Sequence, residues 1–319
     1  METWNYLDGR EYLYKVARGM PPVIIAVAIT GGVAGKEVNP NIPETPEEQA
    51  DSTYDAYKAG ASVVHLHARD PKTSYANPTP NPEYYYKINK LVRERCPDII
   101  ICDSCGIGVD APRAEALKPL EAKPEMASLN CGPLILRGKL LKRNPPLSGR
   151  DEDVDMSKLC MPVTFAETEL LAQAMREKGV KPELEVYNTQ MLNVVYNLIN
   201  KGLLDKPYWF TLIFADAIAQ AATIMNFTAM LAGLPQDSLF QGIGVGPAQY
   251  PTITMSIIAG GNVRVGFEDN IFYKRGELLK NSADAVKKAA RIANELDREV
   301  ATPAQAREML GLSQTPTSY

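Results

Sequence analysis

The chain has 319 residues, 45% hydrophobic and 23% charged, an ordinary composition for a globular protein. Its formal net charge of -4 offers no basic field to nucleic acid or to an anionic membrane surface. No apolar run approaches the roughly 20 residues that cross a bilayer, and residues 1–20 lack the apolar stretch of a secretory signal.

Five cysteines, an odd number in so long a chain, point to a reducing compartment and hence to the cytoplasm. Residues 1–20, with Trp4, Tyr6, Tyr12 and Tyr14, read as an N-terminal extension that packs on the outside or on a partner subunit. Residues 21–319 read as one catalytic domain. Val23–Ile29 is an apolar run of strand length that ends in Thr30-Gly31-Gly32. Thr45, Pro46 and Glu48 form a helix start, with cap, first-turn proline and capping-box acid, and Gly60 ends that helix. Ala61–Leu66 is the second strand. Asn81-Pro82 opens the next helix, Asp98–Cys102 is the third strand, and Asp110-Ala-Pro112 begins a further helix. Cys102 and Cys105 have redox-motif spacing, but no helix start follows them, so they read as a strand residue and a loop residue.

Glu125–Asn130 is the fourth strand. Residues near 133–155, with Pro145-Pro146, Gly149 and a charge cluster, break the rhythm and read as an excursion loop. A helix from Thr164 stops at Gly179. Glu183–Tyr187, Tyr208–Phe214, Leu239–Val245 and Asn262–Phe267 are the fifth to eighth strands. Helices are expected over Thr189–Asn200, Ala221–Leu231, Thr252–Ala259 and Ser282–Leu296, with a last one capped by Thr302.

Eight strands alternating with helices imply parallel strands and crossover helices, the count of a (β/α)8 TIM barrel. A doubly wound sheet is the alternative, but no Gly-x-Gly-x-x-Gly follows the first strand, and Gly242-x-Gly244-x-Gly246 has the wrong spacing. In a barrel the chemistry gathers at the C-terminal strand ends. Those ends carry Thr30, His65 and His67, Ser104, Asn130, Glu185 and Asn188, Asp216, and Glu268 with Asp269. A metal and a small polar substrate would supply the partners that buried polar groups need.

His65 and His67 are the only histidines, and two apart on a strand they share one face. They can be core histidines satisfied by backbone, or two corners of a metal site whose third ligand is not histidine. In Gly260–Asn270, Arg264 is in register with Glu268, and Asp269 follows. This is either an internal ion pair, or a set in which Glu268 completes a His-His-Glu metal site and Arg264 tunes Asp269 as a base. The ligand set suits Zn2+ and equally the facial triad of non-haem Fe(II).

Four motifs together resemble the β-keto acid cleavage enzymes, the family of 3-keto-5-aminohexanoate cleavage enzyme. They are His65-Leu-His67-x-Arg69-Asp70, Lys123–Asn130, Arg264-Val-Gly-Phe-Glu268-Asp269-Asn270, and Ala301–Arg307. The similarity runs from about Val23 to Leu312. It implies a zinc-dependent (β/α)8 barrel, usually oligomeric, and so a homodimer or homotetramer. The implied reaction joins a β-keto acid with acetyl-CoA to give acetoacetate and a new acyl-CoA. His65, His67 and Glu268 would bind Zn2+. Asp269, paired with Arg264, would be the base, and Glu185 would assist water or proton movement. Ser104 and Ser128 match carboxylate-holding positions, with Thr in the family at the second. Asn130 matches a site asparagine, Thr30 lies among the substrate contacts, and Gly242 and Gly244 fall on the acetyl-CoA side.

The departures carry information. The aminohexanoate enzyme has Glu where this chain has Val33, which cannot pair a substrate ammonium and would leave it desolvated. A neutral or apolar acyl tail is therefore expected. The loops after the third (103–108), sixth (214–219) and seventh (244–247) strands also differ from the family's, and these would approach CoA. That keeps a CoA-independent, metal-dependent aldolase or retro-Claisen lyase as the alternative. A metallohydrolase would need further histidines, and a binding protein would not need a positioned base.

Overall fold

Eight short apolar runs form a closed barrel of parallel strands in the computed structural model, which describes residues 5–106, 113–216 and 218–319. The strands are β1 (Ile25–Ala28), β2 (Val63–Leu66), β3 (Ile100–Asp103), β4 (Met126–Asn130), β5 (Lys181–Val186), β6 (Tyr208–Phe214), β7 (Ser238–Gly244) and β8 (Asn262–Val265). Every strand pairs in parallel with the next, and β8 returns to β1 with Arg264 opposite Ala26. Closure leaves no edge, and parallel pairing forces helical crossovers.

The helices are α1 (Gly9–Arg18), α2 (Pro46–Lys58), α3 (Pro82–Arg95), α4 (Phe165–Lys178), α5 (Leu192–Asn200), α6 (Ile224–Ala232), α7 (Gln249–Ile258), α8 (Ser282–Asn294) and α9 (Pro303–Leu310). Their starts follow the capping chemistry. Thr45, Thr164 and Thr302 each form a reciprocal capping box with the residue three positions on. Gly179 and Gly311 end their helices in the left-handed region.

The crossover between β3 and β4 departs from expectation. Its start at Asp110-Ala-Pro112 lies outside the described residues, and the described part, Arg113–Ala122, is a 3-10 helix. Pro119 lies inside it, where an α-helix would lose a hydrogen bond and clash with the ring. Helix α6 begins at Ile224 rather than Ala221, because Thr223 caps it through the Asn226 N–H. The excursion is not irregular throughout: Lys139–Leu140 pairs with Val154–Asp155, and Leu134–Ile135 with Cys160–Met161.

Tyr6 packs its ring edge on Phe240 and donates its hydroxyl to the Ser238 carbonyl, and Tyr12 donates to Ile258. The N-terminal segment thus lies on the outside of the barrel. Among the described residues no helix is long and apolar enough to cross a membrane.

Strand alternation sorts the lumen into layers. Val63, Ile100, Met126, Trp209 and Leu239 form an apolar floor with Ile24 and Ala26. Two residues further along the same strands come His65, Cys102, Ser128, Thr211 and Gln241. The floor excludes water from below. The polar layer above it must therefore satisfy itself or hold a ligand.

Candidate active site

His65 and His67 both point into the barrel mouth, as their period-2 spacing requires. Their Nε2 atoms lie 3.4 Å apart. Glu268 closes the triangle, with Oε2 3.8 Å from His65 Nε2 and Oε1 3.6 Å from His67 Nε2. Donors about 2.0–2.1 Å from a tetrahedral ion lie roughly 3.3 Å apart, so the three side chains are spaced to act as ligands of one ion. Glu268 Oε2 is buried and has no hydrogen-bond partner among the described residues, as expected of a ligand atom.

The turn after β8 makes this possible. The strand was expected to run to Phe267, with Arg264 and Glu268 in register along it; it ends at Val265 instead. Gly266 adopts φ +134°, and a Cβ there would collide with the Ala28 carbonyl. The chain then turns tightly, with the Asp269 and Asn270 N–H groups bonded to the Gly266 carbonyl. Glu268 and Asp269 thereby both face the site. Gly31 (φ +72°) lies across from them, and a Cβ there would sit 2.6 Å from Glu268 Cγ. Gly31→Ala is accordingly expected to displace Glu268 and weaken retention of a divalent ion by ~10-fold or more, the scale of losing a ligand's support. Metal analysis after dialysis checks this; retention equal to the parent's would refute the steric argument.

Arg264 clamps Asp269 with Nη2–Oδ1 at 2.8 Å and Nε–Oδ2 at 3.1 Å, and it also donates to Glu268 Oε1 at 3.0 Å. Burial pushes the Asp269 carboxyl up from its ordinary value, against the pull of Arg264. Burial also opposes ionisation of Glu268, but Arg264, His65 and His67 outweigh it and hold that carboxyl well down. Burial opposes charge on His65, yet Glu268 and Glu183 lift it to about 9. Burial, then Glu183, pushes Glu185 up to about 7. Glu183, Glu185, Glu268 and Asp269 crowd around one guanidinium. A proton on His65 offsets part of that excess, and a divalent cation at the triad would offset more.

The expected substrate contacts separate into two groups. The Ser104 hydroxyl oxygen accepts the Gly106 N–H at 3.1 Å, and that of Ser128 accepts the Cys105 N–H at 3.0 Å. Neither hydroxyl proton is used in these two bonds. Asn130 lies on the next strand position from Ser128 on the same face, its Oδ1 buried without a partner among the described residues. These three suit a carboxylate. Val33 is half-exposed in the loop after β1. Thr30, in contrast, is fully buried and donates to the Pro43 carbonyl at 2.6 Å, so it ties that loop rather than facing substrate.

Gly242 and Gly244 lie where β7 packs closely on a helix. A Cβ at Gly242 would meet Ser256 at 2.9 Å, and one at Gly244 would strike the Ala248 carbonyl. Their missing side chains face α7 and the turn before it, so close helix packing explains them without a cofactor. Asp216, at 90% side-chain exposure, pairs with Arg137 in solvent. Of the altered loops, residues 107, 108 and 217 lie outside the described residues.

Two residues to which the sequence assigned no role take part in the site. Glu183, buried beneath the triad, bonds His65 Nδ1 at 3.1 Å. Period 2 from Glu185 would have placed it inward. Arg69 donates to the Gly31, Ala34, Tyr75 and Ala76 carbonyls and so gathers the loops around the mouth.

The family model described as beta-keto acid cleavage enzyme matches residues 22–312. A protein of Acetoanaerobium sticklandii named 3-keto-5-aminohexanoate cleavage enzyme is 36% identical over 294 residues, 92% of this chain and all of that protein. One of Paraburkholderia graminis named 3,5-dioxohexanoate:acetyl-CoA acetone transferase is 32% identical, over 91% of this chain and 96% of its own. The apo structure of ObcA superposes with a TM-score of 0.67 at 19% identity, over 86% of this chain and 66% of ObcA. That likeness is one of fold.

Proposed function

Because the chain belongs to the beta-keto acid cleavage enzyme family, we propose that it joins a β-keto acid to acetyl-CoA and releases acetoacetate and a new acyl-CoA. The observation that carries this reading is the His65–His67–Glu268 triangle with Asp269, clamped by Arg264, directly beside it. Bound there, Zn2+ would supply a Lewis acid for the keto oxygen.

The chain's own groups account for the rest. The hydroxyls of Ser104 and Ser128, with the Asn130 amide, hold the substrate carboxylate. Asp269 takes the proton from the carbon between keto and carboxylate groups, and Arg264 fixes the direction of its lone pair. That carbon forms a bond to the thioester carbonyl, and CoA thiolate leaves. The thiolate then adds to the original keto carbon, the bond from that carbon to the former α-carbon breaks, and the electron pair returns to the acetoacetate carbon with a proton. Glu185, pushed up to about 7, is placed to carry protons beside Arg264. Val33 supports a neutral or apolar tail, since it offers an ammonium no counter-charge.

A coupled assay of the metal-analysed protein tests this, offering acetyl-CoA with β-keto acids of apolar, hydroxyl, carboxylate and ammonium tails. Acetoacetate from the apolar or neutral tails is expected, with activity and bound metal both lost in His67→Ala. Preference for the ammonium tail would sink the Val33 argument alone. Cleavage that proceeds without acetyl-CoA would shift the function to a CoA-independent lyase.

A further inference from the structure

We infer that Glu183 is a positioning residue, which holds His65 by Nδ1 so that Nε2 is the nitrogen presented to His67 and Glu268, and so sets how tightly a divalent cation is kept. The inference rests on the metal-dependent reading above.

The geometry is specific. Glu183 Oε2 receives His65 Nδ1 at 3.1 Å and the Cys102 thiol at 3.1 Å. Its other oxygen, Oε1, receives Gln241 Nε2 at 2.7 Å and the Thr211 hydroxyl at 2.8 Å. Gln241 Nε2 also reaches Thr211 Oγ1 at 2.9 Å, which locks the two donors to each other. The carboxylate is 3% exposed in its side chain, so water does not compete.

An ionised carboxylate only accepts hydrogen bonds, and a neutral imidazole has one N–H and one lone pair. When an ion displaces the second ring proton, Nδ1–H stays committed to Glu183, so the lone pair lies on Nε2, which faces His67 and Glu268. Flipping the ring would exchange Nδ1 for carbon and break a buried bond. His67 has no such support, because its Nδ1 is buried with no hydrogen-bond partner among the described residues. Of the two imidazoles, His65 alone is oriented before an ion arrives. A carboxylate behind a ligating histidine fixes tautomer and ring, and losing it costs about 10–100-fold in metal affinity.

His65, Cys102 and Glu183 also lie close enough together to suggest a second cation site. Their separations are those of hydrogen bonds, and Glu183 Oε1 is already filled. The structure favours a proton between His65 and Glu183, not an ion.

The test is metal binding to stripped full-length protein, with Zn2+ and Co2+ titrated against a competing chelator. Glu183→Gln is expected to bind one ion per chain about 10–100-fold more weakly, with a shifted Co2+ visible spectrum. Thr211→Val, which leaves the His65 bond in place, should stay near the parent. An unchanged affinity in Glu183→Gln overturns the inference, as does an equal loss in Thr211→Val. Should Glu183→Gln fail to fold, nitrogen-15 NMR of the Zn2+-loaded parent decides. His65 must show a protonated Nδ1 and a metal-bound Nε2; metal at Nδ1, or two ions per chain, overturns it. A parent that takes no ion removes the metal-dependent function itself, an outcome distinct from these.

Discussion

Asp269→Asn is expected to lower kcat by about 10³-fold, within the 10²–10⁴ that a positioned base contributes, while metal content and fold stay those of the parent. The carboxylate is 3% exposed and held at both oxygens by Arg264, so its place does not depend on solvent or on a mobile rotamer. Asparagine keeps the volume and one acceptor oxygen but has no lone pair basic enough to take a carbon-bound proton. Asp269 is not one of the three atoms that face the ion site, so a metal-analysed preparation should match the parent. Arg264 keeps Glu268 as a partner at 3.0 Å, with Glu183 and Glu185 within 4 Å, so the guanidinium is not stranded. The contrast with His67→Ala separates the roles, since that change should remove ion and turnover together. A kcat within tenfold of the parent in Asp269→Asn would move the base elsewhere, with Glu185 the next candidate.

Local rules made the barrel and the triad readable. Alternation put His65 and His67 on one face, capping boxes set the helix starts, and the eighth strand's exit supplied Glu268 and Asp269. What stayed hidden depends on contacts between distant parts of the chain. Glu183 meets His65 across 118 residues. Gly242 and Gly244 looked like a cofactor loop, because a glycine needed for helix packing and one needed for a ligand are the same letter. Thr30 is a strand-end hydroxyl like any other until the Pro43 carbonyl, 13 residues on, accepts its hydrogen bond. Residues 133–155 read as an excursion loop with a charge cluster, and nothing local shows that Arg143 and Arg150 are buried against partners 99 and 113 residues away.

Those two arginines lead to the largest expected effect on stability. Arg143 donates to Glu44 at 2.8 Å, and Arg150 to Glu37 at 2.7 Å, with all four side chains no more than 7% exposed. The acids belong to the loop between β1 and α2, the arginines to the excursion, so the two pairs fasten one to the other. Arg143→Ala would leave Glu44 buried with the Lys36 N–H at 2.9 Å and Arg69 only at 4.0 Å. Breaking one side of a buried pair costs about 3–5 kcal/mol, because the remaining charge is uncompensated. Urea unfolding should show that loss, and limited proteolysis should open within residues 133–155. The double change Arg143→Met with Glu44→Gln removes both charges and is expected to recover most of it. A single variant within 1 kcal/mol of the parent would mean the pair is not holding the excursion down. The consequence reaches the site, because the fastened loop also carries Gly31, whose missing Cβ makes room for Glu268, and Val33 at the mouth. Arg69 holds the Gly31 and Ala34 carbonyls of that same loop. Freed from Arg143, the loop should hold Glu268 less firmly, so ion retention should fall together with stability in Arg143→Ala and return in the double variant.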